Sequence, residues 1–190
     1  MKVEESWESR FLKWFLTLLF LTLIVNIWVF ILIHEEPRRG IITLEMLIKK
    51  DFFQPTVLGI PYFKKPPFHE WITSAISVLL GEVSEFSLRL PSAISVVLTS
   101  VVLFYVNKHF FKERVALFSA IIYSTFYIVL IGYGSKCEPD TLFSLLITLA
   151  TLGWFFFFEK QRELAAWITG YMFTSFALLT KGLPAIQFFS

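Results

Sequence analysis

The sequence contains little cysteine and little charge. Cys137 is the single cysteine among 190 residues, so a disulfide within the chain is excluded. Charged residues make up 17% of the chain and the formal net charge is +2, which is too small to indicate a nucleic-acid partner. The sequence shows no internal repeat. These absences argue against a disulfide-stapled secreted domain, a repeat protein and a nucleic-acid-binding protein.

Charge is missing from long stretches, and those stretches indicate a membrane protein. Hydrophobic residues make up 56% of the chain, and 23 residues are Phe. A helix needs about 20 apolar residues to cross the hydrocarbon core of a bilayer. We therefore predict an all-α fold, a polytopic bundle of transmembrane helices that forms one domain over residues 1–190. The predicted spans lie at about residues 12–33, 90–107, 115–133, 141–158 and 164–180.

Basic residues in the short loops predict the orientation of the chain. They cluster in the N-terminal tail, in residues 107–114 and in residues 159–163, which the positive-inside rule places in the cytoplasm. The first run is too long for a signal peptide and lacks a small-residue cleavage site, so we expect it to be retained. The alternation of spans then places three segments outside the cell, at residues 34–89, 132–140 and 180–182.

The first outer loop, residues 34–89, is rich in basic residues and is not featureless. Pro37 fits the first turn of a helix with Glu36 as its cap, and Ile41, Leu44, Leu47 and Ile48 share one face of it. This pattern is typical of an amphipathic helix that lies in the membrane interface, with Thr43 away from the apolar face. A proline-rich loop follows. Residues 71–81 are uncharged but too short to span, which favours a second interfacial or re-entrant helix.

Charged residues recur at the outer edge of the predicted bundle. They are Glu35 and Glu36, Lys64 and Lys65, Asp140 at the start of the fourth run, and Lys181 at the end of the fifth. An acidic residue at the edge of the hydrocarbon is unfavourable, and so it indicates a functional site. Simpler interpretations stay open at this point. Asp140 can act as a helix cap, Lys181 can reach the interface, and the two glutamates can be a solvated helix end.

Five phrases follow one another in a fixed order along the outer segments. They are HEEPRR at 34–39, YFKKPP at 62–67, RLPSA at 89–93, EPDTLF at 138–143 and LLTKGLPA at 178–185. In this order they resemble the lipid-dependent membrane glycosyltransferases of the GT-C type, namely the aminoarabinose transferases of lipid A and the dolichyl-phosphate-mannose protein mannosyltransferases. The resemblance runs from about residue 14 to residue 190 and corresponds to the N-terminal part of a larger architecture.

The resemblance implies a function and a set of site residues. Such enzymes transfer a sugar from a polyprenyl-phosphate carrier to a lipid, glycan or protein acceptor, which here would occur on the outer face of the inner membrane. It implies Glu35 and Asp140 as the catalytic carboxylates that take the acceptor's proton. No metal or other cofactor is indicated beyond the lipid-linked donor. The substrate-binding residues that it implies, including cations for the leaving phosphate, are Glu36, Arg38, Tyr62, Lys65 and Lys181.

Two departures from the family pattern and two alternatives remain. Glu35 stands where the family has Asp, and Lys64 stands where the arabinose transferases often have Glu, which weakens a metal site and the assignment of that sugar. The chain is also short for the family, so it could be a non-catalytic or split subunit that a second chain completes. A small transporter is the other alternative, but its charges would usually lie near the membrane midplane.

Overall fold

The computed structural model describes residues 6–29 and 31–188, and they form a bundle of helices. The predicted span 12–33 passes through residue 30, and part of the basic tail lies before residue 6, so both extend outside the described residues. A two-stranded antiparallel hairpin, β1 (Thr56–Val57) and β2 (Ile60–Pro61), interrupts the first outer loop. The α-helices are α1 (Trp7–Val29), α2 (Glu36–Lys49), α3 (Phe68–Leu80), α4 (Glu85–Phe110), α5 (Glu113–Thr125), α6 (Asp140–Glu159) and α7 (Glu163–Lys181).

The predicted all-α membrane fold is confirmed. Each uncharged run is mostly helical where it is described, and α1, α4 and α6 are long and apolar enough to cross a membrane. The third run is divided, because α5 is followed by a π-helix at Ile128–Tyr133. After α7 the described residues continue into a short 3₁₀ helix, Leu183–Phe188. The exact limits of the membrane spans stay predictions.

Helix α4 begins before the predicted start of the second span at residue 90. Ser84 caps α4 through a reciprocal pair of bonds, in which the Ser84 N–H donates to the Ser87 hydroxyl at 2.9 Å and the Ser87 N–H donates to the Ser84 hydroxyl. Pro91 therefore lies inside the helix. A later start was predicted because the charged Arg89 was expected to precede the apolar run, whereas Arg89 is buried inside the helix.

Helix α2 packs against the rest of the protein through a face beside the predicted apolar one, and the position of that apolar face in the membrane interface stays a prediction. Ile42, Thr43 and Met46 are buried, while Leu44 and Ile48 point outward. The reason is polar packing, since the Thr43 hydroxyl lies 2.9 Å from the hydroxyl of Thr73 on α3. The helix also begins at Glu36, which leaves Glu35, and not Glu36, in the cap position. The predicted helix at 71–81 is confirmed as α3, which starts three residues earlier.

Polar contacts gather the loops at the two ends of the bundle. At one end the Lys108 ammonium lies 2.6 Å from the Glu113 carboxylate, which also accepts from Ser9 at 2.8 Å and so connects α5 to α1. At the other end residues 34–89, 132–140 and 180–182 meet. The predicted separation of these segments from residues 107–114 and from the described end of the N-terminal tail is therefore confirmed. Which end faces the cytoplasm stays a prediction.

Candidate active site

The charged side chains of the stretch HEEPRRG alternate between the interior and the accessible surface of the protein. Glu36 and Arg39 lie one helical turn apart and are buried, with 1% and 3% of their surfaces exposed. Glu35 and Arg38 are also one turn apart, but they form an ion pair with each other on the accessible side. One pair therefore belongs to the interior of the fold, and the other stands at its rim.

Glu36 is held by a bidentate ion pair with Arg89. The Arg89 Nε and Nη2 atoms donate to the two carboxylate oxygens at 2.7 and 2.8 Å. The backbone N–H groups of Ile33 and Cys137 also donate to them, at 2.9 and 2.7 Å. Burial alone would raise the pKa of Glu36, but these donors hold it below its ordinary value. The substrate-binding role predicted for Glu36 stays a prediction, and the geometry favours a structural role.

Arg89 extends this clamp to the first helix. Its Nη1 donates to the Ile27 carbonyl at 3.0 Å, and its Nη2 donates to the Ile31 carbonyl at 2.8 Å. The carbonyls at the end of a helix lack partners within it, so a guanidinium placed there satisfies them. One arginine thus joins the end of α1, the start of α2 and the body of α4.

Arg39 carries a second buried charge cluster. Its guanidinium donates to Glu70 on α3 at 2.7 Å and to Glu138 in the 132–140 turn at 3.2 Å. Burial would lower the pKa of Arg39, but the two carboxylates raise it. The sequence analysis did not select Arg39, Glu70 or Glu138 as site residues. The available signal was helical spacing, because Arg39 is one turn from Glu36 and must share its buried face.

Asp140 and Lys181 come together as an ion pair. The Lys181 Nζ lies 2.6 Å from Asp140 Oδ1 and 5.4 Å from the centre of the Phe143 ring. Asp140 is the first residue of α6, and Pro139 holds the cap position, so the simple capping interpretation of Asp140 is wrong. Lys181 ends α7, and the pair therefore joins the two helices at the outer end of the bundle.

Lys65 occupies the space between these charged groups. It is half-buried, and it makes no ion pair or hydrogen bond with any other residue that the structure describes. Burial and the nearby Arg39 cation lower its pKa, against the opposing influence of Glu138 and Asp140. Its neighbour Lys64 is exposed. An unpaired, partly desolvated ammonium among fixed charges is suited to receive an anionic ligand.

The other predicted residues lie around this centre. Tyr62 is half-buried and close enough to Arg39 to contribute to its raised pKa. Glu35 and Arg38 remain at the rim, and the joint action of Glu35 with Asp140 stays a prediction. Within residues 6–29 and 31–188 no cluster of three His, Cys, Asp or Glu side chains is arranged to hold a metal.

The fold and these residues define a class, a polytopic helical membrane protein with cations and carboxylates collected at one end of the bundle. Residues 64–190 match the family described as dolichyl-phosphate-mannose-protein mannosyltransferase, and the chain belongs to this family.

Curated relatives support this assignment. The chain is 26% identical over 156 residues to the undecaprenyl phosphate-alpha-4-amino-4-deoxy-L-arabinose arabinosyl transferase 2 of Proteus mirabilis. It is 30% identical over 156 residues to the corresponding transferase of Pectobacterium atrosepticum. Each match covers 80% of this chain, but the chain spans only 28% of the length of these relatives.

Solved structures show the same fold. ArnT from Cupriavidus metallidurans in the apo state superposes with a TM-score of 0.85 over 95% of this chain and 34% of ArnT, at 21% identity. The structure of ArnT bound to undecaprenyl phosphate superposes with a TM-score of 0.81, also at 21% identity, over 94% of this chain and 34% of ArnT. The whole described bundle therefore corresponds to about a third of that protein.

Proposed function

We propose that the chain acts in a glycosyltransferase that moves a sugar from a polyprenyl-phosphate carrier to a lipid, glycan or protein acceptor. The reaction would take place on the non-cytoplasmic side of the inner membrane. The relatives are named for an undecaprenyl-phosphate sugar, and ArnT has been crystallised with undecaprenyl phosphate. Since the chain spans 28% of those relatives, further helices or a second chain would complete the enzyme.

The observation that carries this proposal is the unpaired ammonium of Lys65. A half-buried cation that has no ion-pair partner among the described residues is unfavourable, and a phosphate would supply one. The Arg38 guanidinium at the rim is the second candidate ligand for the phosphate, because its planar fork suits a bidentate grip. Both lie at the end of the bundle, at the depth expected for a lipid headgroup.

The carboxylates suit the other half of the reaction. As the bond between the anomeric carbon and the phosphate oxygen breaks, the phosphate leaves with the electron pair and Lys65 balances its charge. The acceptor oxygen bonds to the anomeric carbon, and its proton passes to a carboxylate. Asp140 is the better candidate for this base, because it is half-buried beside the cations, and Glu35 would assist from the rim. A transporter is less consistent with candidate site residues that all lie at one end of the bundle, because transport sites usually lie near the membrane midplane.

The assignment of Lys65 is tested by donor binding. We expect Lys65→Ala to weaken binding of undecaprenyl phosphate to the purified chain in nanodiscs by roughly 10- to 150-fold, the effect of losing one charge-assisted bond. The exposed neighbour Lys64 is the matched control, and Lys64→Ala should bind almost normally. Equal losses at both positions would indicate a diffuse basic surface and would contradict the proposed site.

The assignment of Asp140 is tested by transfer. We expect Asp140→Asn to reduce sugar transfer roughly 10²–10⁴-fold, the usual range for a positioned acid–base group, with donor binding largely retained. The assay requires a complete enzyme, with any missing helices supplied. Glu163→Gln, at the start of α7 and thus at the opposite end of that helix from Lys181, is the control and should transfer normally. If Asp140→Asn transferred sugar at the rate of the unaltered enzyme, Asp140 would not be the base that takes the acceptor's proton.

A further inference from the structure

A cavity of about 210 Å³ lies beside Asp140, whose carboxylate also pairs with Lys181 in the charged centre that contains Arg39 and Lys65. Its walls come from α5, the π-helix and the first turns of α6. One ordered water needs a cavity of only about 10–15 Å³, so this cavity is large enough for a ligand. Its lining consists of Asp140, four hydroxyl side chains and two aliphatic ones, at Tyr123, Ile128, Val129, Tyr133, Thr141 and Ser144.

The π-helix shapes one wall of this cavity. Such helices are rare, and where they occur they are frequently found at functional sites. Here the wider turn closes with the Gly134 N–H donating to the Val129 carbonyl at 2.8 Å. A Cβ atom at Gly134 would lie only 2.5 Å from that same oxygen. A residue with a side chain would therefore have to displace the wall, and the glycine maintains the shape of the cavity.

The hydroxyl groups in the cavity have unused hydrogen-bonding capacity. Thr141 is 4% exposed, and its hydroxyl has no hydrogen-bond partner among the described residues. Buried hydroxyls are normally paired, so an unpaired one that lines a cavity points to a ligand group. The Tyr123 and Ser144 hydroxyls are 3.5 Å apart, a long contact that leaves each of them able to bond a guest.

The charged groups in and around the cavity indicate which kind of ligand it can bind. No lysine or arginine lines it, whereas Lys65, Arg39 and Lys181 collect at the charged centre. Among the described lining residues Asp140 is the charged one, and its carboxylate already pairs with Lys181, so the cavity offers a phosphate no cation of its own. A neutral ligand with several hydroxyl groups could instead form hydrogen bonds with both donors and acceptors in the cavity. Because Asp140 Oδ1 already accepts from Lys181, this carboxylate contacts the charged centre and also faces the cavity.

We infer that the cavity bounded by the π-helix is the acceptor subsite, and that it takes an uncharged saccharide ring with its hydroxyls on Thr141, Ser144 and Tyr123. This inference rests on the proposed transfer reaction. It places the acceptor hydroxyl beside Asp140 and the carrier phosphate beside Lys65. The proton of that hydroxyl passes to Asp140 as its oxygen bonds to the anomeric carbon and the phosphate leaves.

Sugar binding tests the inference without requiring transfer. Methyl β-D-glucoside is titrated into the purified chain in nanodiscs, and binding is followed by saturation-transfer NMR. We expect saturable binding that Thr141→Val and Ser144→Ala each weaken roughly 3- to 10-fold, the effect of losing one neutral hydrogen bond. Thr141→Ser keeps the hydroxyl and should bind like the unaltered chain. Thr151→Val removes a hydroxyl from the same helix, one that is bonded to the Ile147 carbonyl, and is the control.

Several outcomes would overturn the inference. These are no saturable signal from the unaltered chain, an equal loss in Thr151→Val, or unchanged binding in both Thr141→Val and Ser144→Ala. Undecaprenyl phosphate binding is measured on the same samples and should be unchanged by the cavity variants, which also shows that they are folded. If Lys65→Ala left donor binding intact while the cavity variants lost the sugar, the transfer reaction would fail and the saccharide site would stand.

Discussion

At the scale of single residues, neighbouring charges in this protein have different surroundings and therefore different roles. Lys64 is exposed while Lys65 is half-buried, and Glu35 is at the rim while Glu36 is enclosed. Burial without a partner changes the proton affinity of a side chain, and burial with a full set of donors makes it a structural element. Lys65 is the first kind of residue and Glu36 is the second.

Donor binding should depend on pH through Lys65. Its pKa lies below the ordinary 10.5, so it loses its proton earlier than a typical lysine as the pH rises. From about pH 8 upward a phosphate monoester keeps its full charge, so the donor itself does not titrate. We expect undecaprenyl phosphate affinity to fall at a pH below 10.5, where an ordinary lysine would still be charged, and Lys65→Arg to remove this fall because arginine stays charged. If the affinity of Lys65→Arg declined in the same way, the pH dependence would belong to another group.

At the scale of elements, ion pairs replace apolar packing where helix ends meet. The end of α1, the start of α2, the 132–140 turn and α4 converge on the Glu36–Arg89 pair, and α3 is connected to the same turn through Arg39. The start of α6 and the end of α7 are joined in the same way by Asp140 and Lys181. These pairs set the spacing of the loops that surround Lys65.

The Glu36–Arg89 clamp should stabilise the fold far more than the neighbouring exposed pair. Removing one partner of a buried pair costs about 3–5 kcal/mol, so Glu36→Ala should lower the free energy of unfolding by about that amount. Glu35→Ala is the matched control and should cost less than about 1 kcal/mol. Chemical denaturation in detergent measures both. Equal costs would mean that the buried pair does not hold the helix ends.

The clamp also predicts a dependence of stability on pH. The folded-state pKa of Glu36 is below the ordinary value of 4.5, so its contribution is complete above that pH. As the pH falls through the lowered value, the carboxylate is protonated and the contribution is lost. Glu36→Ala should therefore show a weaker acid dependence than the unaltered chain.

At the scale of the whole molecule, the helices divide the chain into two polar ends. One end contains residues 34–89, the 132–140 turn and Lys181, and the opposite end contains the pairs around Glu113. Because the fold is that of a membrane protein, the two ends lie on opposite faces of the bilayer. The proposed reaction needs the first of them outside the cell.

Cysteine labelling tests this orientation. In a Cys137→Ala background, single cysteines at the exposed positions Lys50 and Lys64 should react with an impermeant maleimide in intact cells. Cysteines at Lys112 and Lys160, also exposed, should react only after permeabilisation. Labelling of Lys112 from outside would place the charged centre in the cytoplasm and would contradict the proposed function.

The sequence by itself determined the helices and the end of the bundle at which the charges collect. Apolar runs of membrane length must be helical, and charged groups must leave the hydrocarbon, so Lys65, Asp140 and Lys181 could be placed at one face from spacing alone. The limits of the helices were less well determined. The second span was predicted to begin at residue 90, but a serine capping box begins α4 earlier.

Only the tertiary structure decided how those charges are shared. The buried charges of Arg39 and Glu36 have partners far along the chain, since Glu70 lies 31 positions from Arg39 and Cys137 lies 101 positions from Glu36. Such pairings depend on which helices pack together, because a charge leaves water only where packing brings it a partner. The same packing left Lys65 unpaired and opened the cavity beside Asp140. Neither result could be predicted from local sequence, because both depend on the spaces between helices that are distant in the chain.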